Sequence, residues 1–161
     1  MAGLALAELT GLDGRGKRHQ VKLKIGGKLL LIDESYNANP ISMNATLEQF
    51  SKEQCNGKRV AILGAMGELG GKAQHYHEAL AEEIIAAGTD VAILVGDEMA
   101  HTAAKLKDSL DRPAEIFHVE NSSEALTEVA KQIGDEDILL IKGSNYLGLA
   151  KVVSALTSGE Y

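Results

Sequence analysis

The densest group of chemically useful side chains directly follows an apolar stretch near the amino terminus. Residues 29–32 are apolar, and positions 33–39 read Asp-Glu-Ser-Tyr-Asn-Ala-Asn. Carboxylates, hydroxyls and amides at the carboxyl end of a buried strand offer hydrogen-bond donors and acceptors to a polar ligand. Pro40 favours the first turn of a following helix, because its missing N–H needs no partner there. The segment therefore predicts a binding turn between a strand and a helix.

Three further polar or glycine-rich segments are expected at strand ends: residues 64–71, 96–98 and 142–144. The strands of a parallel sheet end at one edge, so these segments should meet the turn at 33–39 there. Residues 64–71 lack both the lysine of a P-loop and the G-x-G-x-x-G spacing, so a plain structural turn and a ligand contact both stay open. The same holds for 142–144, where a lysine and a serine suit a phosphate but the serine also suits a helix cap.

The rest of the chain predicts the elements that position these segments. Residues 19–24 alternate in polarity and are separated from residues 28–32 by two glycines, which is typical of a β-hairpin. Strands and helices then alternate, and the strands at 58–63, 90–95 and 137–141 have the continuous apolar character of a sheet covered on both faces. We therefore predict an α/β fold with a Rossmann-like, doubly wound, mostly parallel sheet and an N-terminal β-hairpin. The remaining predicted elements are a strand at 115–118 and helices at 2–10, 40–53, 73–87, 97–109, 121–132 and 145–157.

Composition narrows the class of protein. The 161 residues are 45% apolar with a net charge of −7, and no apolar run approaches the ~20 residues that span a bilayer. The single cysteine, Cys55, cannot form an internal disulfide. His75 and His77 lie two positions apart on a predicted helix and so point to different faces, which disfavours a metal site. We expect a cytoplasmic protein that binds neither nucleic acid nor membrane and holds no metal itself.

Three segments, in this order, resemble motifs of the Mur ligases, the ATP-dependent amide-forming enzymes of peptidoglycan (cell wall) synthesis. Residues 33–40 look like D-[DE]-S-Y-N-A-N-P, residues 63–70 like L-G-x-M-x-E-L-G, and residues 141–144 like [VI]-K-G-S. The first of these motifs is similar to the signature of the branch that adds D-alanyl-D-alanine to UDP-N-acetylmuramoyl-tripeptide. The chain departs from the family pattern at Ala65, where Asp is usual, and at Asn145, where Arg is common.

The resemblance implies a fragment of a three-domain enzyme. Its relatives have an amino-terminal domain that holds the UDP-sugar, a central ATPase domain with a P-loop, and a Rossmann-like third domain. By this resemblance, residues 1–12 belong to the end of the central domain and the linker, and residues 13–161 form the third domain. The implied reaction uses ATP and Mg²⁺ and passes through an acyl-phosphate, with the magnesium ligands outside this chain. The fragment alone is therefore expected to hold no catalytic residue and to be inactive.

The resemblance also implies roles for individual side chains. Glu34 is expected to contact the ribose of the nucleotide, and Arg15 the nucleotide at the domain junction. Tyr36, Asn37 and Asn39 are expected to line the nucleotide and the incoming amine. Substrate-side or supporting roles are implied for four further residues: Glu68, His77, Lys142 and Ser144. The alternative is a stand-alone nucleotide- or metabolite-binding module, which tight ligand binding by this chain alone would indicate.

Overall fold

Strands and helices alternate through the part of the chain described by the computed structural model, residues 12–161, and the helix predicted at 2–10 lies outside it. The strands are β1 (Lys17–Lys22), β2 (Lys28–Glu34), β3 (Arg59–Gly64), β4 (Val91–Val95), β5 (Glu115–Val119) and β6 (Ile138–Lys142). The helices are α1 (Pro40–Lys52), α2 (Ala73–Ala86), α3 (Met99–Lys107), α4 (Ser122–Gln132) and α5 (Ala150–Ser158), with 3₁₀ turns at Gly70–Lys72 and Asn145–Leu147. No helix within residues 12–161 is long and apolar enough to cross a membrane.

The strands form one sheet in the order β1-β2-β6-β3-β4-β5. Only the β1–β2 pair is antiparallel, and the other four pairs are parallel. This arrangement confirms the predicted α/β fold with an N-terminal hairpin. The chain leaves β3 towards α2 on one face and leaves the neighbouring β6 towards α5 on the other. Such a change of direction between adjacent strands opens a crevice at the carboxyl edge of the sheet, where ligands of this fold class bind.

Two apolar layers cover the sheet because successive strand side chains point to opposite faces. Leu31 packs into the layer with α4 and α5, and its neighbour Ile32 packs into the layer with α1, α2 and α3. The same alternation continues past the apolar residues. It directs Asp33 to the α5 side of the sheet and Glu34 to the α1 side.

The predicted bounds agree with the structure to within two residues, except at the last helix. The helix predicted at 145–157 is wrong at its start, since a 3₁₀ turn is followed by a break before α5 begins at Ala150. Gly148 takes a left-handed conformation there, with φ of 69°, which a helix cannot continue through. In the hairpin, β2 extends to Glu34 rather than to residue 32. Its partner β1 therefore begins at Lys17, opposite Asp33, instead of at residue 19.

Candidate functional site

The four segments predicted at strand ends do meet at the carboxyl edge of the sheet. The Lys142 ammonium, at the end of β6, donates to the Asn37 carbonyl at 3.0 Å. The Gly67 N–H donates to the Ser144 hydroxyl at 3.0 Å, which joins the loop after β3 to the loop after β6. The Ala65 N–H donates to the carbonyl of Val95 at the end of β4. The edge is thus one continuous surface rather than four separate loops.

The turn at residues 33–39, named here the signature turn, is built around the Asp33 carboxylate. Asp33 is only 4% exposed. One of its oxygens accepts from the N–H and the hydroxyl of Ser35, at 3.0 and 2.5 Å, and the other accepts from the Gly14 N–H at 2.8 Å. A buried carboxylate is stable only when its oxygens receive such donors. Asp33 therefore satisfies backbone and hydroxyl donors and does not face solvent.

Residues 12–16, named here the strap, lie across the signature turn. The Gly16 N–H donates to the Asp33 carbonyl at 2.7 Å, and the Tyr36 N–H donates to the Gly14 carbonyl at 2.9 Å. Gly14 has φ of +73°, and a Cβ added to it would lie 3.0 Å from the Cβ of Tyr36. Only glycine fits this approach without strain. Glycine-rich, charged residues of this kind are typical of a linker or a turn, but the strap is packed on the site.

Glu34 and Lys142 are cross-strand partners at the ends of β2 and β6. Burial raises the pKa of the Glu34 carboxyl, and the Lys142 ammonium partly opposes this shift. Burial likewise lowers the pKa of Lys142, and Glu34 opposes that. Lys142 is 4% exposed and its Nζ donates to the Asn37 carbonyl, so it stabilises the signature turn from the buried side. The half-buried Glu34 carboxylate makes no hydrogen bond to the described residues and is available to a ligand with hydroxyl donors.

The outer surface of the signature turn is formed by Tyr36, Asn37 and Asn39. Tyr36 is 48% exposed, and the Arg15 guanidinium lies 3.9 Å from the centre of its ring, in a cation–π contact. Asn37 is exposed. Asn39 is the N-cap of α1: its side-chain oxygen accepts from the Ser42 N–H at 2.8 Å, which leaves the amide NH₂ free for a ligand.

The loop at residues 64–71, named here the β3 loop, is held by His77 and Ser144. His77 is fully buried on α2; its Nε2 accepts from the Met66 N–H at 3.0 Å and its Nδ1 donates to the Ala73 carbonyl at 2.6 Å. This pattern defines the neutral tautomer with the proton on Nδ1. Glu68 is exposed at the tip of the loop with φ of 58°. The cap suggested for Ser144 is absent, since its hydroxyl is occupied by the β3 loop instead.

Two cavities flank the end of β2. The one on the α1 side has a volume of about 160 Å³ and is lined by Glu34, Gly16 and Arg18, among others. The one on the α5 side has a volume of about 300 Å³ and is lined by His19 and Asp33, among others. Within residues 12–161, no three His, Cys, Asp or Glu side chains are grouped so that they could hold a metal ion.

Comparison with known proteins identifies the family of the chain that carries this edge. The model of the Mur ligase glutamate ligase domain matches residues 17–145, which include the signature turn, the β3 loop and the end of β6. The chain belongs to the Mur ligase family. Within residues 17–145 this Mur ligase domain holds all of its predicted site residues except Arg15, which lies in the strap just before the match.

Several curated relatives carry the same name. The UDP-N-acetylmuramoyl-tripeptide–D-alanyl-D-alanine ligase of Synechocystis sp. is 32% identical over 170 residues, which cover 97% of this chain and 36% of the relative. The enzyme of the same name from Escherichia coli strain K12 is 29% identical over 153 residues, which cover 94% of this chain and 31% of the relative. The chain thus spans about a third of the length of these relatives.

Solved structures show the same fold. The MurF ligase from Thermotoga maritima in complex with ADP superposes with a TM-score of 0.71 at 23% identity, covering 98% of this chain and 33% of that one. A MurF structure from Acinetobacter baumannii gives 0.75 at 24% identity, covering 92% of this chain and 31% of that one. The domain therefore has the fold of about one third of a larger ligase.

The two departures from the family pattern differ in their surroundings. Ala65 is buried in the apolar layer at the start of the β3 loop, where the Asp usual in the family would need donors. Asn145 is exposed and lines the cavity on the α5 side.

The sequence alone indicated no separate role for Asp33, one of the polar residues of the signature turn. Its position directly after an apolar strand was the available signal, since a carboxylate there is buried with its strand.

Proposed function

We propose that this chain is the carboxy-terminal domain of a cytoplasmic UDP-N-acetylmuramoyl-tripeptide–D-alanyl-D-alanine ligase of cell wall synthesis. Residues 13–161 form that third domain, and residues 1–12 belong to the end of the central domain and the linker. The proposal rests above all on the relatives, which carry this one ligase name and align over most of the chain. The carboxyl edge described above then closes over ATP held by the central domain of the same polypeptide.

In the proposed reaction, ATP phosphorylates the carboxylate of UDP-N-acetylmuramoyl-tripeptide, and the amine of D-alanyl-D-alanine displaces phosphate to form the amide. The Glu34 carboxylate accepts hydrogen bonds from the ribose hydroxyls, a role supported by its free oxygens at the strand end. Arg15, stacked on Tyr36, presents a cation to the nucleotide. The amides of Asn37 and Asn39 donate towards the nucleotide and the incoming amine.

The buried polar residues support this surface from within. Lys142 holds the Asn37 carbonyl, and His77 and Ser144 fix the β3 loop, whose Glu68 faces the substrate side. The residues available in this chain fit a nucleotide ribose but form no carboxylate cluster for a divalent ion within 12–161. We also propose that the central domain binds Mg²⁺, which would neutralise the phosphate charge. Positioning by this domain and charge stabilisation by the other then combine only when the domains close.

The test is the steady-state kinetics of the full-length ligase. Glu34→Ala should raise the KM for ATP about tenfold, the effect expected for one lost hydrogen-bonding carboxylate, with a much smaller change in the KM for D-alanyl-D-alanine. Asp111→Asn changes an exposed carboxyl group between α3 and β5, at the opposite edge, and serves as the control. Unchanged nucleotide kinetics in Glu34→Ala would show that the ribose role is wrong.

The same proposal predicts that the 161-residue chain does not hydrolyse ATP or form the amide by itself. Calorimetry with ATP separates this from a stand-alone binding module. Weak or absent binding by the chain supports the ligase domain, because half of a two-domain site leaves the nucleotide largely solvated. Micromolar affinity would favour the module instead.

A further inference from the structure

The strap and the signature turn are joined by three hydrogen bonds, two of which end on Asp33. Two of them, from Gly14 N–H and Gly16 N–H, end on the side chain and carbonyl of Asp33. The third runs from the Tyr36 N–H to the Gly14 carbonyl. Within the turn itself, the N–H and the hydroxyl of Ser35 donate to the Asp33 carboxylate. The Asp33 carboxylate thus accepts donors from both the strap and the turn.

The strap carries one proposed nucleotide contact and the turn carries the others. Arg15 lies on the strap and its guanidinium stacks on Tyr36 of the turn. Gly14, next to Arg15, meets the backbone of Tyr36 closely enough that an added Cβ would lie 3.1 Å from its N atom. The position of Arg15 over the Tyr36 ring thus depends on how the strap is seated on the turn.

We propose that Asp33 is a positioning residue that locks the strap to the signature turn, so that Arg15, Glu34 and Tyr36 meet the nucleotide as one rigid unit. Asp33 itself does not contact the nucleotide, because its oxygens are buried and occupied by donors of this chain. The role in nucleotide binding rests on the proposed function, but the locking does not. The strap, on this view, belongs to the same rigid unit as residues 17–161.

The locking is tested by amide hydrogen exchange of the 161-residue chain, followed by NMR in Asp33→Asn. This change places an NH₂ group against one of the N–H donors, so the Gly14 and Ser35 amides should exchange at least about tenfold faster. The decisive amide is that of Tyr36, which donates to the Gly14 carbonyl and not to Asp33. In a locked unit its exchange accelerates together with that of Gly14; if it is unchanged while Gly14 and Ser35 accelerate, the unit is not cooperative and the proposal is wrong.

Gly14→Ala provides a second variant that keeps the Asp33 carboxylate. Its Cβ would crowd Tyr36 at 3.0 Å and its φ of +73° is unfavourable for alanine, so the strap should loosen and the Tyr36 and Gly14 amides should again exchange faster. Asp111→Asn should leave all of these rates unchanged. Protection of Tyr36 that persists in Gly14→Ala would contradict the proposed unit even if Asp33→Asn fails to fold.

The positioning role is tested in the full-length ligase. Asp33→Asn should raise the KM for ATP by about the same factor as Glu34→Ala, with a smaller change in kcat, because a group that only aligns ligand contacts acts mainly on binding. If Glu34→Ala raises the KM and Asp33→Asn does not, the positioning role is refuted. If Glu34→Ala itself has no effect, the proposed nucleotide site fails, and amide exchange alone then decides whether Asp33 locks the strap.

Discussion

Both edges of the sheet contain a buried aspartate that collects backbone N–H groups, but the two edges differ in what remains free. At the amino edge, Asp137 is 3% exposed and accepts from the N–H groups of Lys58 and Gly134, each at 2.7 Å. At the carboxyl edge, Asp33 is equally buried and accepts from Gly14 and Ser35. Each carboxylate fixes the backbone of loops at one end of the sheet.

Two further aspartates of the amino edge accept from the backbone. Asp90 accepts from the Arg59 N–H and Asp135 from the Lys28 N–H, so both close the start of a strand. The carboxyl edge adds a half-buried Glu34 that makes no hydrogen bond to the described residues and an exposed Arg15–Tyr36 pair. A buried carboxylate is thus the common structural device, and function is indicated by the unused groups placed beside it.

The largest effect is expected from Asp137→Ala at the amino edge. The Lys58 and Gly134 N–H groups lose a charged acceptor, which should lower the free energy of unfolding by about 3 kcal/mol. Urea denaturation of the chain measures this loss. In the full-length ligase, at a temperature where the variant is folded, the KM for ATP should stay unchanged. An altered KM would break the division between a structural edge and a binding edge.

Asp135→Ala is the matched control for that change. Asp135 is exposed and accepts only from the Lys28 N–H, so water replaces the lost acceptor. We expect a loss below about 1 kcal/mol. Equal losses in the two variants would mean that burial of Asp137 contributes nothing.

A smaller effect is expected from His77→Leu, which tests how the β3 loop at the carboxyl edge is fixed. Leucine leaves the Met66 N–H and the Ala73 carbonyl without the imidazole, at a cost of about 2 kcal/mol in urea denaturation. The Met66 amide should also lose protection from exchange. The control is His75→Leu, on the exposed side of the same helix, which should do neither. A Met66 amide that stays protected in His77→Leu would show that Ser144 alone holds the loop.

The two regions also differ in how far the sequence predicts them. The signature turn was predicted in place because its donors and acceptors are neighbours in the chain, and the apolar strand before it defines the sheet edge. For the β3 loop, the sequence leaves two interpretations open, a structural turn and a ligand contact. Its supports, His77 and Ser144, come from α2 and from the end of β6, and strand order is set by packing of the whole sheet rather than by local spacing.

The strap shows a second limit of local patterns. Glycines and charges at 14–18 are typical of a linker, and nothing nearby in sequence indicates that the Gly14 N–H is bound by a carboxylate 19 positions later. Local sequence does not indicate the register of the hairpin either, because that register follows from the extension of β2 to Glu34. Alternation of polarity fixed which face each residue takes, but not where pairing begins.

The smallest effect is expected from Glu34→Gln, which tests how much stability the chain loses by holding an ionised carboxylate half-buried at the site. Burial raises the pKa of Glu34 above its ordinary value, so the folded chain binds this proton more tightly than the unfolded chain does. The contribution of this bound proton to the stability of the folded chain is therefore complete below the ordinary pKa of the carboxyl group. It is lost as the pH rises through the raised pKa. At pH 7 the ionised carboxylate opposes folding, and Glu34→Gln should stabilise the chain by less than about 1 kcal/mol, since the site is half exposed.

Below about pH 4 that gain should vanish, because Glu34 is then protonated in both states. Urea denaturation at the two pH values measures it, with exposed Glu82→Gln as the control that should show no comparable gain. The same Glu34→Gln change should weaken ATP binding by the full-length ligase, because an amide oxygen accepts less strongly than a carboxylate. A residue that costs stability and improves binding is expected at a site selected for its ligand. If Glu34→Gln instead destabilises the chain at pH 7, the carboxylate is part of the structural network, and the carboxyl edge resembles the amino edge more closely than its free groups suggest.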